Sequence, residues 1–108
     1  MSTSVRELFA ALGPRLKANP DKTAGLTVSL QFNVLGQGGG IWQVKIDDGQ
    51  AEVLEGPAEH PDLTCVVSVE DYIALAAGEV SGRELFFSGR MHLEGNALLG
   101  MTLGRIMR

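Results

Sequence analysis

Leu26-Thr-Val-Ser-Leu-Gln-Phe-Asn-Val34 decides the fold: Leu26, Val28, Leu30, Phe32 and Val34 alternate with Thr27, Ser29, Gln31 and Asn33. A period of two sends the apolar set to one face and the polar set to the other, the pattern of a strand with one wet side. After Gly36-Gln-Gly-Gly-Gly40 the alternation resumes, with Trp42, Val44 and Ile46 against Gln43, Lys45 and Asp47. Asp48-Gly49 then turns the chain into a third strand over Ala51–Leu54, so the three form a meander.

Downstream, Leu63, Cys65, Val67 and Val69 predict a fourth strand beyond the loop holding Gly56-Pro57 and His60-Pro61. Ser68 is placed to cap a helix with Asp71 in the reciprocal position; that helix carries Ile73, Leu75 and Ala76 and stops at Gly78. Ser81 with Glu84 repeats the capping pattern before Leu85-Phe86-Phe87, and Gly89 ends this second helix. Arg90–Glu94 reads as a short fifth strand, followed by a last helix from Ala97 to Met107 capped by Asn96.

Upstream, Ser4 and Glu7 form a capping box for a first helix whose stripe is Val5, Leu8, Phe9, Leu12 and Leu16, with Gly13-Pro14 expected to kink or interrupt it. A short turn follows, with Asn19 as its cap and Pro20 in the first position. The order of elements indicates an α+β fold around one sheet.

The chain has 108 residues, enough for one domain spanning 1–108. By size scaling about 65% of its extended surface is buried on folding, so one core needs no staples. Nine basic against thirteen acidic residues give a net charge of −4, which opposes binding to a phosphate lattice, and nucleic acid is not an expected partner. The charge is uneven, +2 over residues 1–25 and −5 over residues 26–67, as suits solvated turns between strands. With Cys65 alone no internal disulfide forms. The start lacks a basic stretch followed by an apolar run, and no segment approaches the roughly 20 apolar residues of a membrane span, so a soluble, cytoplasmic protein is expected.

Reactive chemistry is hard to assemble from these residues. The glycine loop invites a phosphate-binding reading, but Ile41 stands where a dinucleotide fingerprint wants its third glycine, no Gly-Lys-Ser/Thr follows, and the next segment is a strand rather than a helix N-terminus. His60, His92 and Cys65 have no metal-ligand spacing, so no metal and no cofactor are expected. Cys65 sits among apolar strand residues, which predicts a buried, unreactive thiol, and Asp47-Asp48-Gly49 is the chemistry of a turn rather than a catalytic pair.

The last helix is the feature that asks for an explanation. At 100° per residue it is apolar nearly all round, with only Thr102 and Arg105 as a polar edge. Part of Leu98, Leu99, Met101, Leu103, Ile106 and Met107 must therefore face a cavity, a partner or a bilayer. Met91, Met101 and Met107 supply flexible thioethers suited to variable apolar shapes. Gly100 and Gly104 inside this helix each cost about 1 kcal/mol against alanine, a weakness that suits a movable lid.

Three stretches, Trp42-Gln-Val-Lys-Ile-Asp-Asp-Gly49, Pro61-Asp-Leu-Thr-Cys-Val-Val-Ser-Val-Glu-Asp71 and Phe87-Ser-Gly-Arg-Met-His-Leu-Glu-Gly-Asn96, in this order resemble the sterol carrier protein 2 family over nearly the whole chain. Gly89-Arg90 with Gly95-Asn96 is similar to that family's Gly-Lys to Gly-Asp strand. The resemblance implies a five-stranded mixed, mainly antiparallel sheet covered by helices, an apolar tunnel between them, and no catalysis. It implies a ligand among fatty acids, acyl-CoA, sterol-like and isoprenoid lipids. Carried over, the tunnel lining would be Phe32, Val34, Trp42, Val44 and Ile46 from the sheet with Leu75, Leu85, Phe86, Leu98, Met101 and Leu103 from the helices. Arg105-Ile-Met-Arg108 is not a Ser-Lys-Leu address, so the peroxisomal targeting of the family's eukaryotic carriers is not expected.

Two functions from different classes fit. One is a non-enzymatic carrier of a hydrophobic ligand, making transient contact with membranes. The other is an interaction or dimerisation module using the apolar last helix, for example an accessory factor in quinone or lipid metabolism.

Overall fold

The meander forms as the alternation predicts. In this computed structural model, which describes residues 4–106, β1 (Thr27–Leu35), β2 (Gly40–Asp47) and β3 (Gln50–Glu55) pair antiparallel. Register sets Phe32 opposite Trp42, Leu30 opposite Val44 and Val28 opposite Ile46, so the apolar positions of neighbouring strands share one face. Asp48 and Gly49 take φ of 43° and 87°, the left-handed pair of a type I′ turn, and Asp48 Oδ1 also accepts from the Gly25 N–H at 2.8 Å. In the β1–β2 turn, a Cβ at Gly39 would collide with the Val34 carbonyl, so glycine is required there.

Seven residues then carry the chain back across the polar face. Gly56 N–H donates to the Ile41 carbonyl of β2 at 2.8 Å, and Gln43 Nε2 donates to the Pro57 carbonyl at 3.1 Å. Ala58 N–H donates to Gln31 Oε1 of β1 at 3.0 Å; Asp62 finally trades two bonds with the Ser29 backbone, at 2.7 and 2.8 Å. The crossover delivers β4 (Leu63–Ser68) parallel to β1, and β5 (Met91–Gly95) adds antiparallel to β4. The sheet is five-stranded and mixed, in the order β3-β2-β1-β4-β5. The architecture is the α+β class expected.

The helices are α1 (Val5–Ala18), α2 (Val69–Ala76), α3 (Gly82–Phe87) and α4 (Gly100–Ile106), with 3₁₀ turns at Pro20–Lys22 and Ala97–Leu99. Their buried residues, among them Val5, Phe9, Leu12 and Leu16 of α1, form one core with the apolar sheet face. Ser4, Ser68 and Ser81 each accept from the N–H three residues on, at 3.0–3.1 Å. The reciprocal half of the box is made by none of them. Asp71 pairs with Arg90 at 3.5 Å instead, and Ser81 Oγ donates to the Glu84 carboxylate at 3.4 Å.

Three local expectations are corrected. α1 continues without interruption through Gly13-Pro14, because Pro14 orphans only the carbonyl of Ala10, which is exposed to water, while Leu12 and Leu16 stay buried on either side. Asn19 does not cap the 3₁₀ turn; its Nδ2 donates back to the Arg15 carbonyl at 2.8 Å and closes α1. The final helix divides into the 3₁₀ turn, capped by Asn96 Oδ1 accepting from Leu98 N–H at 3.2 Å, and α4. Met107 lies outside the described residues. No described helix is long and apolar enough to cross a membrane.

Candidate functional site

Between sheet and helices the space is occupied by rings. Phe9 of α1 stacks on Trp42 of β2 (centroids 4.7 Å apart, planes at 8°) and on Tyr72 of α2 (4.8 Å, 15°), and meets Phe32 of β1 edge-on at 5.4 Å. The offset and edge-on arrangements are those that aromatic quadrupoles favour. Around them close Leu30, Val44, Leu63, Cys65, Val67, Leu85 and Ile106, all essentially inaccessible. The rings thus fill the zone between the layers where the resemblance implies a tunnel. Two hollows lie at the edge of this layer, along the seam between α1 and β3, with Phe9 in the wall of both and Trp42 in the wall of the smaller. They are open grooves of about 300 and about 170 Å³ that share Phe9, Ala10 and Val53. A two-pronged bond from Arg6 to Glu55, 2.6 and 3.2 Å, spans the end of the smaller one.

The residues named from the sequence divide into two groups. Phe32, Val34, Trp42, Val44 and Ile46 on the sheet and Leu85 and Leu103 on the helices are buried in one core, with Leu75 half-buried against it. Phe86, Leu98 and Met101 are not brought into it; they stand 43%, 86% and 85% exposed. The reason is phase. α4 spends Leu103 and Ile106 on the core, and a helix of seven residues has one inward face, so Met101 turns out. Leu85 takes the single inward position of α3, leaving Phe86 and Phe87 outside.

Sequence reasoning missed Tyr72. It took Ile73, Leu75 and Ala76 as the apolar set of that helix, yet Tyr72 is the buried residue of α2. α2 begins at Val69, immediately after β4, and this start sets the phase that points Tyr72 at Phe9. Phe9 was legible as one of a helical stripe, but nothing local marked it as the centre of a stack.

The interior is electrically neutral. Burial pushes the Cys65 thiol up to about 12, and burial likewise raises the Tyr72 hydroxyl, against the opposing pull of Arg15. Cys65 is therefore a protonated core residue rather than a nucleophile. Arg15 itself reaches across from α1, its Nη2 donating to the Ile106 carbonyl at 3.4 Å at the C-terminal end of α4, where a cation is favoured. His60 and His92 are exposed, and no cluster among the described residues could hold a metal ion.

A five-stranded mixed sheet with helices packed on its apolar face is a fold found in known proteins. The solution structure of palmitated SCP2L2 from Aedes aegypti superposes with a TM-score of 0.81 at 22% identity, covering 98% of this chain and 96% of that one. The sterol carrier protein domain 2 of Helicoverpa armigera gives 0.77 at 24% identity, over 99% and 93%. In sequence, the mouse peroxisomal multifunctional enzyme type 2 is 30% identical over 105 residues, which are 94% of this chain and 14% of that protein. The chain thus spans a small part of the curated relatives it matches. Residues 9–108 match the model of the SCP-2 sterol transfer family, and the chain belongs to that family.

Proposed function

We propose that the chain is a non-enzymatic carrier that holds the hydrocarbon part of a lipid between its sheet and its late helices. The ligand class is fatty acids, acyl-CoA, sterol-like or isoprenoid lipids. One observation carries the reading: Phe86 of α3, Leu98 of the 3₁₀ turn and Met101 of α4 stay exposed on short segments that, together with α1 and α2, cover a sheet face apolar but for Glu55 at its β3 edge. When α3 and α4 lift or rotate, the sheet residues Phe32, Val34, Trp42, Val44 and Ile46 and the helical residues Leu75, Leu85, Phe86, Leu98, Met101 and Leu103 enclose the alkyl chain together. Each methylene buried contributes about 0.8 kcal/mol, so a dozen give close to 10 kcal/mol before the entropy of association is subtracted. Affinity then follows chain length more than head group.

The test is uptake of a fluorescent fatty acid such as cis-parinaric acid by purified protein, with lipid extraction of the same sample. Saturable uptake that strengthens with chain length supports the carrier; neither uptake nor copurified lipid refutes it. The exposure of Leu98 and Met101 also favours a second reading, a homodimer or partner interface. Deleting residues 97–108 separates the two: self-association lost with uptake unchanged supports the interface.

A further inference from the structure

We infer that the cargo is a long-chain carboxylate whose head rests in the seam between α1 and β3 against Lys17, with Phe9 as the gate between that seam and the interior. The inference rests on the carrier reading and adds to it the ligand's polar end and its way in. Arg6, Ala10, Gly13, Pro14 and Lys17 recur at helical spacing on the side of α1 turned to β3, and each lines one or both of the grooves there. From Arg6 to Lys17 the stripe is about 16 Å long. Ala51 and Val53 stand across from it, and a Cβ on Gly13 would just touch Val53 Cγ2 at 3.7 Å. With only methyls at Ala10 and Ala51 and no side chain at Gly13, helix and strand meet without filling the space between them.

The two cations of the seam differ. Arg6 is held by Glu55 through its two-pronged bond, whereas Lys17 makes no ion pair among the described residues. Alternation along β3 turns Glu52 to the opposite sheet face, where register sets it across from Lys45, so the strand side chains that face the larger groove are Ala51 and Val53. A carboxylate laid in the groove therefore meets an unpaired ammonium, while an uncharged sterol or isoprenol gains nothing from it. Phe9 is the one residue that lines both grooves and also stands in the ring stack, 1% exposed and 4.7 Å from Trp42. An apolar hollow of about 150 Å³ accepts a benzene ring. The larger groove measures about 300 Å³, so the Phe9 ring has room to turn into it. Once it turns, the seam joins the sheet face, and the alkyl tail takes the place of the ring while its head stays at Lys17.

Spin-labelled stearic acid, added to the full chain, tests the placement. A nitroxide close to the carboxylate is expected to broaden the amide signals of Gly13, Lys17, Ala51 and Val53; a nitroxide near the methyl end broadens those of Phe32 and Val44 instead. Lys17→Glu is expected to weaken binding of cis-parinaric acid by about fivefold or more, the upper end of what one exposed ion pair supplies. The methyl ester of the same acid stays at the wild-type level, which also shows that the variant folds. Ala10→Phe fills both grooves from an exposed position and is expected to slow entry of the acid severalfold in stopped-flow mixing. Three results overturn the seam and leave the carrier standing: a carboxyl-end label that broadens α3 and α4 instead, acid affinity indifferent to Lys17→Glu or changed equally with that of the ester, and an entry rate untouched by Ala10→Phe. Wild-type protein that takes up neither acid nor ester refutes the carrier itself, and the seam with it.

Discussion

Phe9→Ala tests the ring stack directly. The side chain is 1% exposed and contacts Phe32, Trp42 and Tyr72 at centroid distances of 5.4, 4.7 and 4.8 Å. Truncating a buried phenylalanine costs about 3–5 kcal/mol through lost transfer energy and the cavity left behind. Aromatic pairs add about 0.5–1.5 kcal/mol beyond area, so with three such partners the upper half of that range, about 4–5 kcal/mol, is expected. Against a total of about 5–15 kcal/mol for a domain of this size, that is about a quarter or more of the stability. Urea titration measures it, with circular dichroism for the backbone and fluorescence for Trp42, the sole tryptophan, whose ring is one of the stacked partners. At a slope of about 1.5 kcal/mol/M the midpoint falls by about 3 M, and Trp42 emission shifts to the red in the native baseline. Phe87→Ala, at a position 74% exposed, is the control and moves stability by about 0.5 kcal/mol or less. A loss below about 1.5 kcal/mol at Phe9, set against the same range, would show that the rings do not close-pack and that the interior holds slack.

Further outcomes follow from single contacts. Ser68→Ala removes the oxygen that accepts from Asp71 N–H at 3.1 Å and costs about 1 kcal/mol in thermal or urea melts. Gln43→Leu is expected to be neutral or stabilising in the same melts, because Gln43 Oε1 is buried without a partner and the Pro57 carbonyl it releases reaches water. Cys65, with its thiol raised to about 12 by burial, should ignore a thiol reagent at pH 8 until denaturant is added. Its folded pKa exceeds the unfolded one, so the stability it contributes is whole below about pH 8.5 and drains away as pH rises toward 12; Cys65→Ala should flatten that part of the alkaline profile. Tyr72, raised for the same reason, acts in the same direction.

What was legible in the sequence was what a short window determines. Alternation over Leu26–Val34 placed Leu30, Phe32 and Val34 inward, and Asp48-Gly49 specified the β2–β3 turn, because side-chain period and left-handed φ are local properties. The serine caps were visible for the same reason, though only their forward bonds form. The parallel neighbour of β1 was not deducible from any window: it depends on a crossover that reads Gln43, Gln31 and Ser29 in succession. Helical phase was the other hidden quantity. It decides that Tyr72 rather than Ile73 is buried and that Leu98 and Met101 face solvent. Phase is set by where α2 leaves β4 and by the 3₁₀ turn ahead of α4. At the carboxyl end Leu103 and Ile106 go into the core while Leu98 and Met101 stay outside it, a division that packing decides.

The sheet carries its helices on one side only, with the other side polar and crossed by a single seven-residue segment. Mechanically this is a stiff plate with a soft upholstery. Laddered backbone bonds resist bending, whereas helices of six and seven residues, each held by few inward side chains, yield at small cost. Any swelling needed to house a guest is therefore one-directional: the plate keeps its shape and the cushion rises. Amide exchange should register this as slow sites along β1, β2 and β4 beside fast ones in α3 and α4, with the fast sites slowing once a guest is aboard.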